Sequence, residues 1–317
     1  MDRDQLERNQ IPLYFIAVAL AAAIGLFTPG VARPLEALVT PAIAVLMYAM
    51  FLQIPFLDLR AGLGNRRFMG ALLLANFVLV PLLVWAGTRG LVEHPAVLVG
   101  ALLVLLTPCI DYVVVFTHIG KGDSRLTLAA TPVLLLVQLA LLPLYLALML
   151  GGGQVEISVA PFFEAFVLLI VLPLLLAVAT SAGARRSVLV ARWNDAWAWL
   201  PVPAMALVLV GVIGSQIGVV TSQLDKLLPV VPVYLGFALL APLLGWFAAQ
   251  LFTLSTGEAR AVTFSAATRN SLVVLPLALA LPESIRALAA AAVITQTLVE
   301  LVSELVYVRA VPALVRR

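Results

Sequence analysis

The feature that most limits how this chain can fold is a succession of apolar stretches separated by short charged or glycine-rich turns. Ten can be placed, at 11–28, 36–55, 68–87, 96–118, 126–149, 161–180, 200–220, 229–252, 260–281 and 287–311. Crossing the hydrocarbon core of a bilayer as a helix takes roughly 20 apolar residues, so each stretch is a candidate span. The connections carry turn residues, among them Thr28-Pro29-Gly30, Gly151-Gly152-Gly153 and Ser181 to Arg186. Charged residues are 11% of the chain and hydrophobic residues 63%, whereas a soluble domain carries about a quarter charged residues. No stretch is long and polar enough to fold as a separate soluble domain. The predicted class is an all-α integral membrane domain whose first apolar run is a spanning helix and not a removed signal peptide.

Arginine and lysine set the orientation of such a chain, because they are retained on the cytoplasmic side. With ten spans, one side collects 14 of the 19 basic residues and the other collects four, Arg33, Arg89, Lys226 and Arg286. Arg269 is left over inside a span. Both termini are therefore expected in the cytoplasm, with the chain in the inner (plasma) membrane. The net charge of +3 is spread over the loops and does not point to nucleic acid. An odd number of spans in each half inverts the second half, so 1–150 and 151–317 read as two inverted five-helix repeats. Span 4 ends in Gly122-Asp123-Ser124-Arg125 before a helix carrying Gln138. Span 9 ends in Pro282-Glu283-Ser284-Ile285-Arg286 before a helix carrying Gln296.

Polar interruptions fall at matching places in those halves. In span 4 the run Leu106-Thr107-Pro108-Cys109-Ile110-Asp111-Tyr112 contains a helix-breaking proline, the only cysteine and a carboxylate. In span 9 the interruption is Thr268-Arg269-Asn270. A helix broken in lipid leaves peptide groups that cost several kcal/mol each, on the order given for unsatisfied groups, so it persists only in protein or around a cavity. Broken helices at corresponding positions are a transporter signature. If the two cross, Asp111 and Arg269 can face each other, either as a structural ion pair or as substrate contacts. Cys109, a soft ligand, suits a thiophilic metalloid. A single thiol binds it transiently, as a pathway requires.

Glu300 follows Gln296 by four residues and shares its helix face. It can carry a proton, since a carboxyl away from water binds one more readily, or it can bond a neighbouring helix. Asn76, mid-span before Pro81, is open between a helix–helix bond and a site residue. Gly120-Lys121-Gly122-Asp123 matches the GxGD string of intramembrane proteases, but Asp123 sits in a charged turn, where it reads as a helix cap. Neither HExxH nor GxSxG occurs. An enzyme is not expected, and no cofactor is called for.

Pro108-Cys109-Ile110 through Val113-Val114-Val115-Phe116 to Lys121-Gly122-Asp123 resembles the fourth span of arsenite permeases of the arsenical-resistance-3 family. Phe264-Ser265-Ala266-Ala267-Thr268-Arg269-Asn270 is similar to that family's ninth-span motif, Leu298-Val299-Glu300 to its tenth, and Leu74-Ala75-Asn76 with Pro81 to its third. The likeness runs over nearly the whole chain, within the broader superfamily of bile acid/sodium symporters. It implies ten helices with core and panel domains and crossed broken helices 4 and 9. It also implies export of arsenite, or antimonite, driven by the proton-motive force as an antiport. Cys109 and Glu300 match the family's two functionally important positions. Thr107, Asn270, Arg269 and Asp111 are then the companion substrate contacts, with Pro108, Asn76 and Gln296 in support. This chain departs from the family in having Arg269 for the first of a pair of asparagines, Leu272 for a glutamate, and Asp111 for a small residue. In bile acid symporters an acid and a glutamine bind sodium at the positions of Ser265 and Arg269, so sodium-independent transport is expected here. The alternative is a sodium-coupled symporter of a small organic anion, with Arg269 holding the anionic group.

Overall fold

The computed structural model describes residues 10–54, 64–110, 112–150 and 167–316. In chain order the helices are α1 (Gln10–Phe27), α2 (Pro29–Gln53), α3 (Arg66–Gly87), α4 (Pro95–Leu105), α5 (Val113–Ile119), α6 (Ser124–Leu150), α7 (Leu172–Ala184), α8 (Val188–Trp197), α9 (Pro201–Ser222), α10 (Val231–Leu251), α11 (Thr256–Ala267), α12 (Ser271–Leu279) and α13 (Glu283–Leu314). Every predicted span contains helix. By length and composition, four helices among the described residues can each cross a membrane alone: Arg66–Gly87, Ser124–Leu150, Leu224–Leu251 and Glu283–Leu314. A fifth arises if Val188–Trp197 and Pro201–Ser215, bent by 44°, form one span. Spans 4 and 9 fall short because each is cut in two, α4 from α5 and α11 from α12. The start of span 6 and Asp111 lie outside the described residues.

Contacts divide the chain into two compact units that do not follow the midpoint. The first takes Met1–Leu57, Ser158–Leu224 and Leu279–Ala287. In it α9 packs on α1 and α2, and α7 packs on α2 and α8. Residues 188–197 read from the sequence as a connection, yet they form α8. Its helix is held by rings: Trp197 lies edge-on to Tyr48 at 4.8 Å, and Trp193 Nε1 donates to the Tyr48 hydroxyl at 3.2 Å.

The second unit takes Asp58–Ile157, Asp225–Ala278 and Leu288–Arg317. Here α11 packs on α10, α3, α5 and α6. Several of its helix starts are capped by side chains. Asn65 Oδ1 accepts from the Phe68 N–H at 3.1 Å, and Asp123 Oδ1 accepts from the Leu126 N–H at 3.0 Å, so Asp123 is a cap as expected. Ser255 and Glu258 form a capping box at α11, and the Asn65 amide donates to Glu258. Partial burial raises the Glu258 carboxyl, but hydrogen bonds from Ser255 and Asn65 outweigh it and hold the group below its ordinary value. Helices close on small residues, as membrane bundles do. A Cβ on Gly100 of α4 meets the Ala289 carbonyl oxygen at 2.4 Å, and one on Gly245 of α10 meets Thr263 Cα at 2.8 Å.

Gly100→Ala is predicted to destabilise the protein by about 1–3 kcal/mol, the usual cost of overpacking against backbone. Gly90→Ala, where a Cβ meets nothing within 4 Å, should stay within about 0.5 kcal/mol. Thermal unfolding in detergent reads both, and equal midpoints would contradict the close α4–α13 approach.

Candidate functional site

The site starts from two places where a helix cannot continue. Pro108 lacks an N–H and disfavours helical geometry at Thr107, so α4 stops at Leu105 and leaves late carbonyls to be satisfied. In α11 the helix stops at Ala267 and Thr268 turns extended, with ψ 128°. The two freed segments pair with each other. Pro108 and Arg269 form an antiparallel bridge; the Cys109 N–H donates to Thr268 O at 3.1 Å, and the Asn270 N–H donates to Thr107 O at 2.8 Å. The Asn270 side chain then starts the next helix, its Oδ1 accepting from the Val273 N–H at 3.2 Å.

Arg269 lies at the centre and is fully buried. Its guanidinium folds back on the end of its own helix. Nη2 donates to Ser265 O at 2.7 Å, to Ala266 O at 2.8 Å and to Asn76 Oδ1 at 2.7 Å, while Nη1 reaches Leu105 O at 3.4 Å. A cation at a helix C-terminus is favoured by the dipole and by orphan carbonyls. The Phe237 ring lies 5.5 Å from the guanidinium carbon and adds a cation–π contact. Asn76 sits in a π-helical turn, Ala75–Leu79, and its Nδ2 also donates to Ser265 Oγ at 3.0 Å and to Leu72 O at 3.1 Å. Asn76 therefore links α3 to α11 through the Arg269 cation. Asp111, the other expected partner of Arg269, lies outside the described residues.

The backbone of Arg269 is held by α13 and by Tyr112. Its N–H donates to Glu300 Oε2 at 3.0 Å, and its carbonyl accepts from the Tyr112 hydroxyl at 2.9 Å. Tyr112 also bonds Glu300 Oε1, and Gln296 Nε2 donates to Glu300 Oε2. One turn on, Glu304 Oε1 lies 2.6 Å from the Thr268 hydroxyl. Glu300 is 3% exposed and Glu304 is fully buried, so two carboxyls and one guanidinium share a dry interior.

Of the expected site residues, Thr107, Pro108, Cys109, Arg269, Asn270, Gln296, Glu300 and Asn76 come together in this unit. Thr107 donates its hydroxyl to Leu103 O at 2.7 Å. Cys109 has no exposed surface. Its backbone is tied to the second break through Thr268 O in this conformation. Several buried polar atoms have no hydrogen-bond partner among the described residues: Asn270 Nδ2, Ser271 Oγ, Arg269 Nε and Gln296 Oε1. Buried polar groups are normally satisfied, so these are atoms to which a ligand can bond. Sequence reasoning missed Tyr112 and the pairing of Thr268 with Glu304. An aromatic beside a break and an acid one turn from Glu300 were the only signals.

A family model described as Sodium Bile acid symporter family matches residues 40–223, more than half of the chain. The match includes Asn76 and Cys109 and stops before the second break. No curated protein matches the sequence.

The Asn76–Arg269 bond should be measurable. Asn76→Ala is predicted to cost about 1.5–3 kcal/mol, the range for hydrogen bonds to charged groups. Combined with Arg269→Met it should cost at least about 1 kcal/mol less than the two single losses together. Strict additivity in thermal unfolding would mean the two side chains act independently.

Proposed function

The chain belongs to the sodium bile acid symporter family and is a multi-pass membrane transporter of a small molecule; within that class we propose that it exports arsenite, with antimonite as a related cargo, driven by the proton-motive force and independent of sodium. The observation that carries this reading is the pairing of the two helix breaks around the only cysteine, with Asn270 Nδ2 and Ser271 Oγ on the facing segment unpartnered among the described residues. Trivalent arsenic is thiophilic. Arsenous acid exchanges one hydroxyl for the Cys109 sulfur; the thiol proton leaves with that hydroxyl as water, and hydrolysis reverses the step. Asn270 and Thr107 hold the remaining hydroxyls. Glu300, bonded to the Arg269 backbone, exchanges the coupling proton. The buried thiol belongs to the closed stage of an alternating-access cycle.

The architecture proposed with it is ten helices in two inverted repeats, 1–150 and 151–317, with both termini in the cytoplasm of an inner-membrane protein. The two compact units favour a panel and a core, since each draws segments from both halves of the chain.

Sodium coupling to an organic anion is the competing reading within this family, and Arg269 weighs against it. Its guanidinium already occupies a cluster of oxygens, Asn76 Oδ1, Ser265 O and Ala266 O, at 2.7–2.8 Å. A second cation about 4 Å away would meet a repulsion of about 4 kcal/mol at an effective dielectric of 20. The same bonds turn the guanidinium inward, away from service as an anion receptor.

In an arsenite-sensitive bacterial host, Cys109→Ser is predicted to abolish resistance and restore arsenite accumulation at unchanged expression. A proton uncoupler should do the same to the wild type. Full resistance in the serine variant would remove the thiol from the mechanism. Replacing sodium with choline should leave efflux unchanged, and Glu300→Gln should flatten its pH profile. Collapse of efflux in choline would return the sodium-coupled reading.

A further inference from the structure

Thr268 ends α11, and its hydroxyl faces two oxygens at once. Oγ1 lies 2.7 Å from the Phe264 carbonyl oxygen and 2.6 Å from Glu304 Oε1. A hydroxyl has one proton, and a carbonyl can only accept. The bond to Phe264 O is the ordinary back-bond of a helical threonine to the residue four before it. Both short contacts are then bonds only if the Glu304 carboxyl donates the second one. With Glu304 ionised, one contact would set two lone-pair-bearing oxygens against each other. The other carboxyl oxygen, Oε2, has no partner among the described residues.

Glu300, one helical turn away, has more partners. Its Oε2 accepts from the Arg269 N–H and from Gln296 Nε2, and its Oε1 faces the Tyr112 hydroxyl. Two N–H donors converge on Oε2, while the Tyr112 hydroxyl, with its one proton, lies between Oε1 and the Arg269 carbonyl oxygen. The Arg269 guanidinium is turned to Asn76, Ser265 and Ala266 and not to Glu304. Around Glu304 are Glu300 and Tyr307 on its own helix and Thr268 on the second break, and the backbone of the next residue, Arg269, is bonded to Glu300 and Tyr112. Cys109 and Tyr112 stand across the crossing, and Asp111 lies outside the described residues.

We propose that Glu304 is a second proton-binding carboxyl of this transporter, beside Glu300, and that it holds a proton in the conformation described. Glu304 acts as a positioning residue through Thr268. The Thr268 carbonyl accepts from the Cys109 N–H, so the hydroxyl that reads the Glu304 proton belongs to the residue that joins the two breaks. When the crossing opens, Glu304 gives its proton to entering water. The carboxylate then claims the Thr268 hydroxyl proton, and the bond to Phe264 O at the end of α11 is lost. The inference deepens the proton-coupled reading above, but it rests on no particular cargo.

The test is infrared difference spectroscopy on the purified full chain in lipid nanodiscs at neutral pH, with no substrate present. The carbonyl stretch of a protonated carboxyl, identified by its shift in deuterium oxide, should be seen in the wild type. A component of it should disappear in Glu304→Gln and persist in Glu300→Gln. Glutamine keeps the shape of the acid and still donates to Thr268, so that variant should fold. Thr268→Val should keep the band but move it to the frequency of a more weakly bonded acid, which a merely structural Glu304 would not produce. Absence of the band from the wild type, an undiminished band in Glu304→Gln, or loss of the whole band in Glu300→Gln would each overturn the assignment. Failure of arsenite resistance in cells would leave this band untouched, so the cargo and the proton site stand or fall separately.

Discussion

A helix that stops inside a membrane leaves peptide groups with no water to bond, and in this protein two stopped helices supply each other. The segment after α4 and the segment after α11 exchange backbone hydrogen bonds between Cys109 and Thr268 and between Asn270 and Thr107. Each unsatisfied group would cost several kcal/mol, on the order known for apolar surroundings. The crossing is therefore the condition for either break to exist. It also explains why irregular backbone, a thiol and amide donors meet in one place.

Charge follows from that geometry. The C-terminal end of α11 presents carbonyls that the broken helix cannot use, and Arg269 answers them with its own side chain. A buried guanidinium so placed acts as a built-in cation. Burying ions is expensive unless they are bonded throughout, and the Arg269 backbone is in turn tied to Glu300 and Tyr112. The two carboxyls of α13 thus touch the break through different atoms: Glu300 through the Arg269 peptide, Glu304 through the Thr268 hydroxyl. A change in either one reaches the crossing directly, as the proposed proton coupling requires.

Most of the elements were legible in the sequence. The apolar runs marked the helices, Pro108 marked the first break and the polar triplet at 268–270 the second, because hydropathy and proline act on neighbours along the chain. Gln296 and Glu300 were legible as a pair for the same reason, being one helical turn apart. Helix α8 was not, since the Tyr48 ring of α2 packs on a segment that looks like a loop. The partners of Arg269 were not legible either. Asn76 is 193 residues away, and the Tyr112–Glu300 bond spans 188.

The sequence by itself determined that this chain is a bundle of membrane helices interrupted at two places, one of them beside its only cysteine. Local chemistry suffices for that: roughly 20 apolar residues span a bilayer, and a residue without an N–H ends a helix. Only the tertiary structure decided that the interruptions pair, that Arg269 turns toward Asn76 and its own helix end, that Thr268 stands between Phe264 and Glu304, and that two compact units draw on both halves of the chain. These are choices among distant partners. They are fixed by the need to match buried polar groups contributed by several segments, a condition that no single segment can express.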